Sequence, residues 1–214
     1  MLSEKYVQHK ALHFLRRRYQ RRARSRVLAQ KEVTTLPKYG RKRADGLLRF
    51  KHLIWGDYVV SMEAKCQKTL AAIRPASAKN IRRYYSLRVG LALVLASGSL
   101  LTIYKMDDGF WQFLIPVLIF LTGYQLNHWL TRNTIKYQKA AVFKQLGQYP
   151  ANEQWVAVPK DALKALPKDK RKAFYAICRR RGVGLVVVNG LGFAFAKIRP
   201  GRKRYFGKFG KYYS

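Results

Sequence analysis

Two neighbouring stretches without a charged residue constrain this chain more than any other feature, because the rest of it is crowded with lysine and arginine. Val89–Tyr104 reads VGLALVLASGSLLTIY, and Gly109–Thr131 contains FWQFLIPVLIFLTGYQLNHWL. A membrane-spanning helix needs about 20 apolar residues, and somewhat fewer when flanking cations snorkel to the interface. The two runs therefore predict a two-helix transmembrane hairpin over 88–131. Pro116 would kink it, and Tyr84, Tyr85, Tyr104, Phe110, Trp111 and Trp129 would stand as interfacial anchors. Gly90 and the stretch Ser97-Gly98-Ser99 suit close packing of the two helices. The connector KMDDGF holds one lysine and two aspartates, whereas both flanks carry a large basic excess. Both termini are thus expected on the cytoplasmic side of an inner membrane.

The remainder is expected to form one cytoplasmic domain in two halves, 1–87 and 132–199, followed by a basic aromatic tail over 200–214. With 44 Lys and Arg against 10 Asp and Glu, the formal net charge is +34. A charge of that size favours polyanionic partners: nucleic acid, with DNA ahead of RNA, and membrane lipid. A homo-oligomer or a membrane-protein partner is left open, and no small-molecule cofactor is expected. Cys66 and Cys178 are far apart and in no CxxC spacing, which argues against a disulfide framework or a zinc knuckle. The arginine-rich first thirty residues lack the apolar run of a signal peptide.

Apolar periodicity predicts a helix from Ser3 to about Gln30, with Val7, Ala11, Phe14 and Leu15 on one face. Short strands are expected at Lys31–Tyr39, Ala44–Phe50 and Tyr58–Cys66, the last two forming a hairpin through Gly56-Asp57. After the hydrophobic runs come a helix over Thr134–Leu146, a strand over Gln154–Val158 and a helical pair divided at Pro167. Gly182 ends that pair, and strands are expected at Gly184–Asn189 and Phe193–Ile198.

The hairpin carries the chemistry. Alternation along YVVSMEAK puts Val59, Ser61, Glu63 and Lys65 on one face, and Tyr58, Val60, Met62 and Ala64 on the other, the core face. A carboxylate and an amine at the end of so apolar a strand are costly unless exposed, paired or used. Asp45 and Glu63 are symmetric about residue 54, so antiparallel pairing brings two carboxylates together beside Lys65. Oxygen ligands of this kind suit a hard divalent cation, Mg2+ or Mn2+. Arg41, Lys42 and Arg43, next to Asp45, are expected phosphate contacts, and Arg16 and Arg17 are expected to add to the nucleic-acid surface.

RADGLLRF followed by YVVSMEAK resembles the PD-(D/E)xK nuclease superfamily, which places an Asp on one strand and Glu-x-Lys on the next. The resemblance implies an α/β, restriction endonuclease-like core: a mixed central sheet flanked by helices, here interrupted by the transmembrane hairpin. It implies Asp45 and Glu63 as metal ligands assisted by the Ala64 carbonyl, and Lys65 as the residue that orients or activates the attacking water. Asp45, Glu63 and Lys65 are thus the expected catalytic residues of a membrane-anchored, Mg-dependent nuclease acting on DNA at the cytoplasmic face, with endo- and exonucleolytic cleavage both left open. Ala44 stands where the superfamily pattern has Pro. The alternative is a non-catalytic membrane tether that binds nucleic acid or a partner complex through its basic surface. Glu4 is a weaker candidate, since an acidic residue at a helix N-terminus is favourable in its own right. His9 and His13, one helical turn apart, lack the Glu of an HExxH zinc site.

Overall fold

A computed structural model of the chain describes residues 2–37, 41–103, 109–131, 134, 138–201 and 209–213; within these, the side chains of 79, 99–103 and 109–113 are not described. Tyr39, Tyr104, most of the KMDDGF connector, the side chains of Ser99, Phe110 and Trp111, and 202–208 of the expected tail therefore lie outside the described residues.

Helix α1 (Glu4–Gln20) starts where the Ser3 hydroxyl accepts the Tyr6 N–H at 3.2 Å, with Glu4 in the first turn and Arg17 and Arg18 in the last. Those charges complement the helix dipole at both ends. Val7, Ala11, Leu12, Leu15 and Tyr19 form its buried stripe. The helix stops well short of Gln30, because the arginine-rich segment turns back onto a strand. The Gln20 side chain accepts the Val27 N–H at 3.1 Å, and the Arg24 N–H reaches the Lys51 carbonyl at 2.8 Å.

There follow β1 (Leu28–Thr34), β2 (Arg43–His52), β3 (Gly56–Ala64) and α2 (Leu70–Ile73). Next come β4 (Ala76–Ser77), α3 (Lys79–Ile103), α4 (Gly109–Leu130) and β5 (Gln138–Lys139). The chain ends with α5 (Ala141–Leu146), β6 (Glu153–Pro159), α6 (Lys160–Ala165), α7 (Lys168–Arg181), β7 (Gly184–Val188) and β8 (Ala194–Ile198). Two compact units result: 76–139, and a second built from 1–75 and 140–214. The inserted unit is thus longer at both ends than the expected 88–131.

In the larger unit six strands form one mixed sheet in the order β1-β2-β3-β6-β7-β8. The pairs β3/β6 and β6/β7 are parallel and the other three antiparallel. On one face α1 packs Val7, Leu12, Leu15 and Tyr19 against Tyr58, Val60, Met62, Trp155 and Val186. On the other, Phe143, Leu146, Leu163, Phe174 and Ile177 of α5–α7 meet Val156, Val158, Leu185 and Val187. Strands covered on both faces read as continuous apolar runs, which is what β3, β6 and β7 show. Val59 and Ser61, on the side of β3 opposite the expected core, are accordingly buried as well. The end of the expected tail also packs inward: Tyr213 is buried with Val33, Leu47 and Val59, and its hydroxyl donates to the Pro150 carbonyl at 2.8 Å.

In the smaller unit α3 and α4 form an antiparallel pair in which Gly90 meets Phe120 and Gly123 meets Leu93. The expected transmembrane hairpin is not supported. Among the described residues no helix is long and apolar enough to cross a membrane. The physical reason lies in α3, whose first turns carry Arg82, Arg83 and Arg88, and in a polar seam between the helices. Arg82 bonds His128 at 2.8 Å, and the Asn127 amide donates to Ser86 at 3.1 Å. The inner-membrane location inferred from the same two runs falls with the hairpin.

Gly184 opens β7 directly under the Trp155 ring, where an added Cβ would sit 2.3 Å from a ring carbon. Trp155 is fully buried and has no room to yield. Gly184→Ala should lower stability by about 1–3 kcal/mol in urea denaturation, the cost of overpacking a core. Gly190→Ala, where nothing lies within 4 Å of the added carbon, should be close to neutral.

Candidate active site

Strands β2 and β3 pair with Gly46 opposite Met62 and His52 opposite Gly56, the register expected about residue 54. One step beyond Gly46 and Met62 stand Asp45 and Glu63. The Asp45 carboxylate accepts the Ala64 N–H at 2.8 Å, which ties the two strand ends together. Lys65 sits just past β3, fixed by its own N–H to the Ala157 carbonyl of β6 at 2.9 Å. Its ammonium donates to Glu63 Oε1 at 2.7 Å and lies 3.7 Å from Glu4 Oε1 of α1. Glu63 and Lys65 are 3% and 6% exposed, so this is a buried ion pair. The second carboxylate oxygen, Glu63 Oε2, is buried without a hydrogen-bond partner among the described residues.

Burial governs the protonation of the cluster. It raises Glu63 to about 7; the hydrogen bond from Lys65 works against this, and repulsion by Asp45 adds to it. Asp45 is also raised, again by burial first, with the Ala64 N–H and the attraction of Lys65 offsetting part of the effect. For Lys65 burial disfavours the charge. The hydrogen bond to Glu63, together with the attraction of Glu63, Asp45 and Glu4, outweighs it and keeps the ammonium protonated above its ordinary range.

Three further side chains complete the surroundings. The Gln8 amide donates to the Asp45 carbonyl. The Thr69 hydroxyl, in a short turn after β3, donates to the Cys66 carbonyl at 3.2 Å and lies 3.4 Å from Glu4 Oε2. The Tyr149 hydroxyl donates to the Arg43 carbonyl at 2.6 Å; burial first, then Glu63 and Asp45, push this phenol up to about 12. Gln8 follows Glu4 by one helical turn, a spacing visible in the sequence. Thr69 and Tyr149 carry no local signal, because only the tertiary fold brings them near.

The structure thus brings Asp45, Glu63, Ala64 and Lys65 together and adds Glu4, which the sequence marks only weakly. Arg43 flanks the site but lies 3.8 Å from Glu32, both exposed, while Arg41 and Lys42 are exposed beside it. Arg16 and Arg17 stand apart, toward the other end of α1. Thirteen residues of helix at 1.5 Å each place Arg17 about 20 Å along the axis from Glu4. His9 and His13 are exposed, and burial pushes the Cys178 thiol up to about 12, so neither zinc nor thiol chemistry gains support.

Among the described residues no three His, Cys, Asp or Glu side chains cluster as a ready ligand set for a metal ion. Asp45 and Glu63 are the side chains that could hold a divalent cation such as Mg2+, which takes one or two carboxylates and keeps its other positions for water and phosphate. Two desolvated carboxylates with raised pKa values, one bearing a buried oxygen without a partner, are the groups a divalent cation relieves. Compared with family models, curated proteins and solved structures, the chain matches none.

A folded-state pKa of about 7 against 4.5 for an unperturbed Glu means that the native state holds the Glu63 proton more tightly than the unfolded chain. The resulting stabilisation is complete below pH 4.5 and is lost as pH rises through 7. In metal-free buffer the urea midpoint of the wild type, measured relative to Glu63→Gln, should fall between pH 5 and pH 8. A difference that rises or stays flat would contradict the assigned direction.

Proposed function

We propose that this chain is a divalent-metal-dependent nuclease of the PD-(D/E)xK type that hydrolyses phosphodiester bonds, with DNA ahead of RNA as substrate. The observation that carries the reading is the buried cluster in which Asp45 and Glu63 stand on paired strands and Lys65 lies 2.7 Å from Glu63, set in a chain of net charge +34. A mixed central sheet flanked by helices is compatible with it.

Asp45 and Glu63 would hold Mg2+ or Mn2+, which supplies charge neutralisation at the phosphoryl oxygens. Lys65 contributes a fixed positive charge beside the phosphate and a donor to the attacking water. Glu4 and Glu63 hold its ammonium from two sides, so its position is set before substrate arrives. The Ala64 N–H to Asp45 and the Gln8 amide to the Asp45 backbone keep the two carboxylates at a fixed separation. Arg41, Lys42 and Arg43 are placed to hold flanking phosphates without reading sequence, and such contacts weaken steeply with salt.

Purified protein should cleave DNA when Mg2+ or Mn2+ is added and not in the presence of chelator. Glu63→Ala and Lys65→Ala should each lower cleavage by about a hundredfold or more, as expected for loss of a group that stabilises transition-state charge. DNA affinity in metal-free buffer should stay within a few-fold of wild type. Unchanged cleavage in both variants would overturn the assignment, and salt-sensitive binding without metal-dependent cleavage would leave a nucleic-acid-binding module instead.

A further inference from the structure

At the far end of α1 from the carboxylate cluster lie two cavities that share one residue, Arg22. The first is an open cleft of about 790 Å3 lined by Arg17, Arg18, Arg21, Arg22 and Arg199, with Phe14 on its wall. The Arg18 guanidinium lies 5.4 Å from the Trp155 ring, and its Nε is buried without a partner among the described residues. The second is a pocket of about 300 Å3 lined by Arg22, Tyr19, His52, Trp55 and Tyr58, with the buried Glu153 at its base.

The base of that pocket is chemically specific. Tyr58 donates to Glu153 Oε1 at 2.9 Å, Tyr19 donates to Oε2, and the Trp155 indole N–H donates to the Tyr19 hydroxyl at 2.9 Å. Burial and the neighbouring carboxylate hold the Tyr19 phenol protonated, well above its ordinary range. Each carboxylate oxygen thus accepts one phenol and keeps lone-pair capacity for a further donor. The rings above form one aromatic cluster, His52 to Tyr58 at 5.2 Å and Tyr58 to Phe50 at 5.3 Å. His52 Nδ1 accepts the Ile54 N–H at 3.1 Å, which shapes the β2–β3 turn that forms the rim. Leu53 and Ile54 on that rim are 45% and 75% exposed and extend its apolar surface. The segment after α1 is bound to this turn, since the Leu53 N–H donates to the Arg22 carbonyl at 3.2 Å.

A ligand that fits both cavities has a flat ring for the aromatic walls, N–H donors for the carboxylate and an anion for the arginines. A basic peptide would supply the donors but be repelled at the mouth. A nucleotide has all three, and the guanine edge offers adjacent N1–H and N2–H2 donors. We propose that the arginine cleft and the Glu153 pocket together bind one unpaired nucleotide of a polynucleotide strand, its phosphates on the arginines and its base in the pocket. This rests on the nuclease reading and extends it to strandedness. Tyr19 lies about 22 Å from Glu4 along α1 at 1.5 Å per residue. At the 3.4 Å rise of stacked bases that distance corresponds to about six nucleotides. The substrate is then single-stranded, or a duplex with an unpaired end.

The test measures binding in metal-free buffer on a Glu63→Ala background, so that the result does not depend on whether the cluster at Lys65 cleaves. Fluorescence anisotropy compares a short dT strand, the same strand carrying one dG, and a blunt duplex. The strand with dG should bind about tenfold more tightly than dT alone. Trp55→Ala and Arg22→Ala should each weaken single-strand binding about fivefold or more, the range for loss of one stacked base or one phosphate contact, and leave duplex affinity within twofold. Thermal melts of the two variants verify folding, since Trp55 is only half-buried and Arg22 lines a surface cleft. Equal affinity of the Glu63→Ala protein and both folded variants made on it for the dG strand would overturn the proposal, as would equal binding of strand and duplex. Intact binding here, with no metal-dependent cleavage by the protein that retains Glu63, would leave it standing while removing the nuclease assignment.

Discussion

The buried pair of Glu63 and Lys65 at the end of a central strand sets the terms for everything around it. Removing two charges from water costs several kcal/mol per ion, and their attraction repays this only with good geometry and further hydrogen bonds. Apolar residues at those positions would make a simpler core in a chain that is 49% hydrophobic. The surroundings instead concentrate charge: Glu4 is brought in from α1, Asp45 from β2 and the Thr69 hydroxyl from the following turn. Burial still wins over pairing at Glu63, whose pKa rises to about 7 despite a 2.7 Å contact with an ammonium. On the proposed reading, a divalent cation would relieve the repulsion and burial that this cluster carries.

The fold positions this cluster through one helix and one strand. Strand β3 pairs with β2 on one side and β6 on the other, so the backbone on both sides of Glu63 is held by its neighbours. Helix α1 crosses the same sheet and brings different chemistry to each of its ends. Its first two turns bring Glu4 to Lys65 and Gln8 to the Asp45 backbone, and its last turn and the residues after it supply the arginines and Tyr19. The distance between the two regions is therefore fixed by helix length. The charge asymmetry along α1 also follows the helix dipole, with the acid at the N-terminus and the bases at the C-terminus.

Local signals in the sequence carry much of the larger unit. The β2–β3 register follows from Gly56 in the turn, which adopts a φ of +70°, and from the alternation on either side. The break at Pro167 and the stop at Gly182, with a φ of +66°, fix α7 in the same way. The two uncharged runs mislead for a physical reason: absence of charge measures only transfer from water, whereas α3 and α4 are joined by Arg82, Ser86, Asn127 and His128. The end of α1 is misplaced because helical periodicity continues into arginines whose backbone partners lie on β2. Tyr149 and Glu153 reach their partners only across long stretches of chain, so their roles leave no local trace, and Glu4 is marked only as an acid at a helix N-terminus.

On the proposed reading, Asp45 and Glu63 form a divalent-cation site whose occupation requires Glu63 to lose a proton. Isothermal titration calorimetry with Mn2+ at pH 7, repeated in buffers of different ionisation enthalpy, measures affinity and proton release together. One ion should bind, with release of about half a proton or more, and binding should be lost in Asp45→Asn and Glu63→Gln. Binding without proton release, or unchanged binding in both variants, would contradict it.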